Sequence, residues 1–297
     1  RGMTAFGAYI NEASLANQEV FDEIKARCSG PGARIIADTN PDHPEHWLLK
    51  DYIRSEAAGI MSFHFRLDDN TFLDERYVQQ IKETTPKGMF YDRGINGLWV
   101  SGEGVVYPEF DRNVHVITRE QANKIIFDRY FAGVDWGWEH YGAIVVIGVK
   151  GDEYYIIEEY AAQHKYIGEW IKRAKDVIRR YGNIPFYCDP ARPEHISAFQ
   201  KAGISAYLAN NRVLSGIEAV ATLMTTKKFF IVYDECPRFR EEIYKYVWKK
   251  NTGEPLKEND DVLCAIRYGI YSDMTVREIE TPQKQIQNAK RLRGMLR

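Results

Sequence analysis

The sequence runs to 297 residues, 44% of them hydrophobic and 28% charged, with a formal net charge of −2 at pH 7. That length can bury one large core or two modest ones, and the near-neutral charge argues against a constitutive high-affinity DNA binder, whose grip on phosphates rests on clustered Lys and Arg, so any grip on nucleic acid is expected to be local or transient. No apolar run reaches the roughly 20 residues of a membrane span and no signal-peptide pattern opens the chain, so a reducing cytoplasm is expected. Cys28, Cys188, Cys236 and Cys264 form no C-x-x-C pair, which argues against a disulfide framework or a structural zinc site.

Residues 5–10 (AFGAYI) read as a short strand ending at Asn11-Glu12, followed by a helical pattern to about Ala26. Gly30-Pro31-Gly32 breaks the chain, and Ala33–Asp38 (ARIIAD) reads as a second, buried strand running into the turn Thr39-Asn40-Pro41. This strand-helix-strand unit suggests half of an α/β nucleotide-binding sheet. A helix is expected at 74–84, stopped by Pro86-Lys87-Gly88. Residues 1–100 form a first domain, and 101–127 are expected as a linker.

From residue 128 the pattern changes. Strands at 130–135, 142–149 and 153–160 follow closely, the last two joined by the tight turn Lys150-Gly151-Asp152, so three antiparallel strands are expected. A helix at 165–181, a strand ending at Asp189, a helix at 193–202 and a strand at 204–208 come next. Helices at 213–225, 237–249 and 260–272 would then cover the sheet on both faces. An α/β fold results: a three-strand meander followed by αβαβ is the order of a ribonuclease H-like mixed sheet flanked by helices. This domain spans 128–273. Residues 274–297 form a basic tail (Lys284, Lys290, Arg291, Arg293, Arg297), a DNA contact or simply a solvated segment.

Three acidic positions carry the chemistry. Asp135 ends the apolar run YFAGVD, Asp189 ends IPFYCD, and Asp260/Asp261 open the last helix. Carboxylates at the mouth of a sheet are hard ligands suited to Mg²⁺ or Mn²⁺. Two such ions about 3.5–4 Å apart can activate water and stabilise the leaving oxygen of a phosphodiester. A single strand-end Asp is more often a cap or turn former, and it is the ordered set that favours metal binding. Glu158 and Glu159 end the third strand, where solvated residues are the preferred reading and a metal role for one of them the alternative. Arg192 and His195 are phosphate contacts or surface residues, Trp136 and Trp138 stack on a base or wall the cleft, with core packing the preferred role for at least one of them, and Arg267-Tyr268 reads as packing.

The stretches YINEAS (9–14), ADTNPDHPEHW (37–47), DDNTFLDERY (68–77), GEGVVYPEF (102–110), GVDWGW (133–138), YCDPARPEHISAFQKAGI (187–204), VLSGIEAV (213–220) and ENDDVLCAIRYG (258–269) occur in an order that resembles the large subunits of tailed-phage terminases. The resemblance covers nearly the whole chain. It implies an endonuclease that cuts double-stranded viral DNA concatemers during packaging by two-metal hydrolysis, working with a portal protein and the terminase small subunit in the host bacterial cytoplasm, with no membrane partner. The metal ligands it implies are Asp135 and Asp189.

The resemblance also makes residues 1–100 a truncated P-loop-type α/β ATPase remnant. No G-x-x-x-x-G-K-[ST] occurs in the sequence, so ATP is a cofactor only of a full-length form. Glu12 matches the family's Walker B glutamate, and Thr39-Asn40 its coupling motif. Asn11 stands where an Asp is usual, and the preferred reading is that Asn11-Glu12 cap a helix. The family's D-H-x-x-D-A-x-R-Y pattern reads Asp260-Asp261-Val262-Leu263-Cys264-Ala265-Ile266-Arg267-Tyr268 here, so Asp261 takes the His slot and Cys264 the Asp slot. Positions 260, 261 and 264 share a helix face. The expected third metal ligand is Asp261, with Asp260 as cap or alternate ligand. Two other readings are a ribonuclease H-like nuclease of junction-resolvase type and a catalytically impaired docking module of a packaging motor.

Overall fold

A computed structural model describes residues 4–44, 46–250 and 252–277, which fall into two compact units. The first holds the chain up to Gly104 together with Val247–Pro255. Its strands β1 (Gly7–Ile10) and β2 (Arg34–Ala37) pair in parallel, Gly7 opposite Arg34 through Ile10 opposite Ala37. Helix α1 (Gln18–Arg27) joins them, started by the Asn17 side chain, which accepts the Glu19 N–H at 2.9 Å. The expected strand-helix-strand is present. β2 is largely exposed, however, with Ile36 63% accessible. An apolar run specifies a strand but does not say what covers it.

The core of this unit is small. Ala13, Phe21 and Leu48 are buried, and the Phe21 ring centroid lies 5.0 Å from Trp47 and 4.9 Å from Tyr52. Helices α2 (Glu75–Thr84) and α3 (Met89–Gly94) follow, α2 capped by Asp74.

The second unit holds Val105–Tyr246 and the chain from Leu256 onward. Residues 101–127, expected as a linker, carry α4 (Arg112–His115), β3 (Val116–Ile117) and α5 (Arg119–Asn123), with Val106 and Tyr107 buried. Then come β4 (Arg129–Asp135), β5 (Gly142–Lys150) and β6 (Glu153–Ala162), antiparallel in succession as expected. Gly151, at φ +61°, makes the turn between the last two. Next are α6 (Ile167–Tyr181), β7 (Phe186–Cys188), α7 (Pro193–Lys201), β8 (Ala206–Leu208) and α8 (Val213–Thr225). Strand β9 (Phe229–Val232), absent from the sequence-based elements, pairs in parallel with β6 and β3. Helix α9 (Pro237–Glu242) is shorter than the expected 237–249, and α10 runs from 261 to 277. The mixed sheet has the order β3-β9-β6-β5-β4-β7-β8. Among the described residues no helix is long and apolar enough to cross a membrane. The basic tail lies outside the described residues.

Strand β4 is the centre of this unit. Alternation sends Ala132 and Val134 to one face, where they pack with Ile144, Trp170 and Val177 of β5 and α6 and with Phe199 of α7. The opposite face presents Gly133 to α10. A Cβ at Gly133 would lie 1.8 Å from the Ala265 carbonyl oxygen, and one at Gly269 would lie 2.8 Å from Ile147 Cδ1 and 3.2 Å from the Gly133 nitrogen. Helix backbone therefore rests directly on strand backbone, which only glycine permits.

Gly133→Ala is expected to destabilise the second unit by at least about 3 kcal/mol, since the added methyl meets backbone that cannot rotate away. Gly168→Ala, on the open side of α6 with nothing within 4 Å of the added methyl, is expected to be neutral or slightly stabilising. Denaturant unfolding of the two variants checks the contrast, and equal midpoints would refute it.

Candidate active site

Strands β4 and β7 run parallel with Val134 opposite Cys188, so one step further Asp135 and Asp189 leave the sheet side by side. The Asp189 N–H donates to the Val134 carbonyl at 2.9 Å. Neighbouring strands lie about 4.8 Å apart, so the two carboxylates begin from adjacent backbone positions. Asp189 is held further by its Oδ1, which accepts the Ala191 N–H at 3.1 Å, and by its carbonyl, which accepts Trp136 Nε1–H at 3.1 Å.

The first turn of α10 supplies Asp260 and Asp261. The Asp260 carbonyl accepts the Cys264 N–H at 2.6 Å, which begins the helix, and its Oδ2 lies 3.4 Å from the Cys264 thiol. The cap differs from the expected one. The N–H groups of Val262 and Leu263 donate to Glu242 Oε2 of α9, at 2.9 and 3.1 Å, so the side chain that satisfies the helix start is Glu242 and both aspartates keep their carboxylates free of that task. Glu242 is fully buried, and burial raises its pKa to about 8 against these donors and Arg238, which lies 2.9 Å away. Asp261 is 8% exposed and sits 3.6 Å from Arg238 Nη2. It lines a cleft of about 250 Å³ with His140, Tyr141, Gln163 and Arg238.

Electrostatics link the four acids. Burial first, then the charges of Asp189, Asp261 and Asp260, hold the Asp135 carboxyl well above the usual carboxylate range, with Arg267 opposing. Burial also raises Asp260 and Asp261. Arg267 is buried, donates to the Cys264 sulfur at 3.5 Å, and lies over the Tyr268 ring at 4.6 Å. It fits because α8 has Gly216 beneath it, where a Cβ would meet Arg267 Cγ at 2.7 Å. Burial pushes the Cys264 thiol up as well, so this position contributes no charge.

The chemistry of this set suits a hard divalent cation, whose charge would relieve the repulsion focused on Asp135. Asp189, Asp260 and Asp261 nevertheless each have a local partner, the Ala191 N–H, the Cys264 thiol and Arg238. Among the described residues no three Asp, Glu, His or Cys side chains stand close enough to enclose an ion. Asp135, Asp189, Asp260 and Asp261 thus share one charged neighbourhood without forming a ready-made ligand shell.

Other sequence candidates fall elsewhere. Glu158 is buried and ion-paired with Arg180, and the Tyr181 hydroxyl donates to it at 3.2 Å. Glu159 accepts the backbone N–H groups of Arg238 and Phe239 at the start of α9. Neither reads as the solvated residue expected from the sequence. His195 sets its ring edge-on to Trp136 at 5.0 Å, Trp136 also packs on Phe199, and Arg192 pairs with Glu194 at 3.5 Å.

In the first unit, Glu12 lies in the left-handed region (φ +53°) before a short helical turn, Ala13–Leu15, and makes no side-chain cap. The capping reading fails there. Asn40 Nδ2 instead donates to both Glu12 carboxylate oxygens, at 3.2 and 3.3 Å, and Thr39 Oγ1 accepts the Ser14 N–H at 2.9 Å. The structure thus joins Glu12, Thr39 and Asn40.

Glu242, Arg238 and His140 did not emerge from the sequence. A glutamate in a short amphipathic helix reads as solvated, and its burial under α10 depends on a contact 20 residues away. Glu242→Ala is expected to cost about 3 kcal/mol, because it leaves two helix-start N–H groups and Arg238 without their acceptor. Urea unfolding measures it, and a loss below about 0.5 kcal/mol, the range of an ordinary surface change, would rule out the capping role.

Residues 132–272 match the terminase RNaseH-like domain family, and residues 4–93 match the phage terminase large subunit family. Among solved structures, the large terminase of a thermophilic bacteriophage (crystal form 2) is 27% identical with a TM-score of 0.83, over 93% of this chain and 70% of that one. The same phage protein in complex with ATP-gamma-S is 28% identical with a TM-score of 0.81, over 90% of this chain and 70% of that one. The nuclease domain of the bacteriophage SPP1 large terminase, solved with bound Mn, is 18% identical with a TM-score of 0.47, over 57% of this chain and 99% of that one. No curated protein matches.

Proposed function

Because the chain belongs to the phage terminase large subunit family, we propose that its second unit is a metal-dependent endonuclease that cuts double-stranded DNA concatemers during packaging. The observation that carries this reading is the pairing of Asp135 and Asp189 at the ends of adjacent parallel strands, with the helix-start acids Asp261 and Asp260 close enough to raise the Asp135 pKa. Asp135, Asp189 and Asp261 would hold Mg²⁺ or Mn²⁺, with Asp260 as an alternate ligand. Bound as a pair, such ions supply an activated water and charge stabilisation for the leaving oxygen.

The residues of the chain set the conditions for that chemistry. Asp135 and Asp189 are positioned by adjacent strands of the sheet, and the Asp189 carboxylate would have to release the Ala191 N–H to bind an ion with both oxygens. Arg267 offsets part of the negative charge from below and keeps the acids tolerable in a buried place. Cys264, a protonated soft donor, takes no part in holding a hard ion.

In the first unit, Glu12, Thr39 and Asn40 would be the nucleotide-responsive residues of the family's ATPase region, whose cofactor is ATP. Double-stranded DNA, a portal protein and the terminase small subunit are the partners that the family implies, and they fall within the same proposal.

Plasmid cleavage in Mg²⁺ or Mn²⁺ tests the reading. Asp135→Ala and Asp189→Ala are each expected to lower the rate by at least about 100-fold, in the range of removing a principal electrostatic group. Mn²⁺ titration by calorimetry should lose its heat in the same variants, and Cys264→Asp is expected to raise cleavage. Full activity in Asp135→Ala would overturn the assignment.

A further inference from the structure

Beside the carboxylates stands a pair of exposed aromatic rings that the hydrolytic reading leaves unused. β4 and β6 point the same way, since each is antiparallel to β5, so the loops that leave their C-terminal ends both emerge on the edge that carries Asp135. Trp138 lies on the first loop and Tyr166 on the second, 39% and 76% exposed, with ring centroids 5.0 Å apart at an angle of 56°. The two loops are laced together. The His164 N–H donates to the Trp138 carbonyl at 3.1 Å, and Gln163 Nε2 donates to the Glu139 carbonyl at 2.6 Å. Gly137 keeps the first loop tight, since a Cβ there would lie 2.3 Å from the Tyr141 carbonyl. The rings are therefore held in place before any ligand arrives.

We infer that Trp138 and Tyr166 form a stacking platform for an unpaired base of the DNA substrate, so that the nuclease favours DNA frayed or single-stranded beside the cut. This rests on the nuclease reading and adds a substrate class to it. Inside a duplex both faces of each base are covered by its neighbours, and only an unstacked base can offer a face to exposed rings. The charge fits the same ligand. From 163 to 175 the chain carries Lys165, Lys172, Arg173 and Lys175 against one acid, Glu169. Lys165, Lys172 and Lys175 are exposed, and among the described residues none is paired with a carboxylate. They would follow the phosphates away from the rings without reading sequence.

The test is DNA binding in EDTA by fluorescence anisotropy, comparing a blunt duplex with the same duplex bearing a single-stranded tail. The wild-type chain should bind the tailed DNA about tenfold more tightly, with quenching of tryptophan emission, as expected for one stacked base. Trp138→Ala and Tyr166→Ala should each erase most of that margin, Trp138→Phe should retain most of it, and Lys172→Glu should weaken both DNAs alike. Tyr166 makes no side-chain cap at the start of α6, so its truncation leaves the helix start unchanged. Equal wild-type affinity for the two DNAs, or a margin that survives both alanine changes, overturns the platform. A chain that keeps the margin but cuts no DNA with Mn²⁺ supports the platform and sinks the endonuclease reading alone.

Discussion

The contact on which the second unit depends is the seating of α10 on β4 at Gly133. With the Ala265 carbonyl occupying the space a side chain would need, helix and strand approach to backbone distance, and Gly269 repeats the device one turn further along. Because the helix is fixed in height and rotation there, its first turn arrives over the end of β4. That is how Asp260 and Asp261, more than a hundred residues from Asp135, come within range of its charge. A looser helix-on-sheet contact, with side chains interleaved, would move the helix start outward and weaken that coupling.

So close a seating creates a second requirement. A helix start pressed against a sheet has unsatisfied N–H groups, and the residues at hand are the very acids that would hold metal. Glu242 resolves the conflict by capping α10 from outside. Glu242 in turn is charge-matched by Arg238, whose side chain also lies over the Tyr141 ring at 4.3 Å and reaches toward Asp261. The backbone N–H of Arg238 is taken by Glu159. The acids of β6 and α9 thus form the scaffold, which leaves the acids of β4, β7 and α10 available for chemistry.

Much of this architecture was legible in the chain. The β4-β5-β6 meander follows from three apolar runs and the Gly151 turn, and the strand-end positions of Asp135 and Asp189 follow from where those runs stop. β9 escaped because four apolar residues between a helix and Pro237 carry no periodicity to separate strand from helix. α9 ends at Glu242, and from Val247 the chain belongs to the first unit, so the expected helix at 237–249 spans a division that has no local signal. The Glu12 assignment shows the reverse case: the cap preference of Asn11-Glu12 is a sound local argument, yet Asp38 and Asn40 across the strand pair claim the Glu12 backbone and side chain. Local propensity is overruled where a partner 28 residues away offers a better bond.

The place of Cys264 follows from the same geometry. Position 264 is one turn into α10, where backbone N–H groups are already bonded within the helix, and a carboxylate there would face Asp135 with Arg267 as its nearest compensation. Positions 260 and 261 lie at the helix start, where the dipole favours negative charge and eases its burial. Moving the acid from 264 to 261 therefore shifts a charge from an unfavourable site to a more favourable one while keeping it on the same helix face. The consequence is a competing cation in Arg238, 3.6 Å from Asp261. On the proposed metal-binding reading, an ion would have to draw Asp261 away from Arg238 to gain it as a ligand.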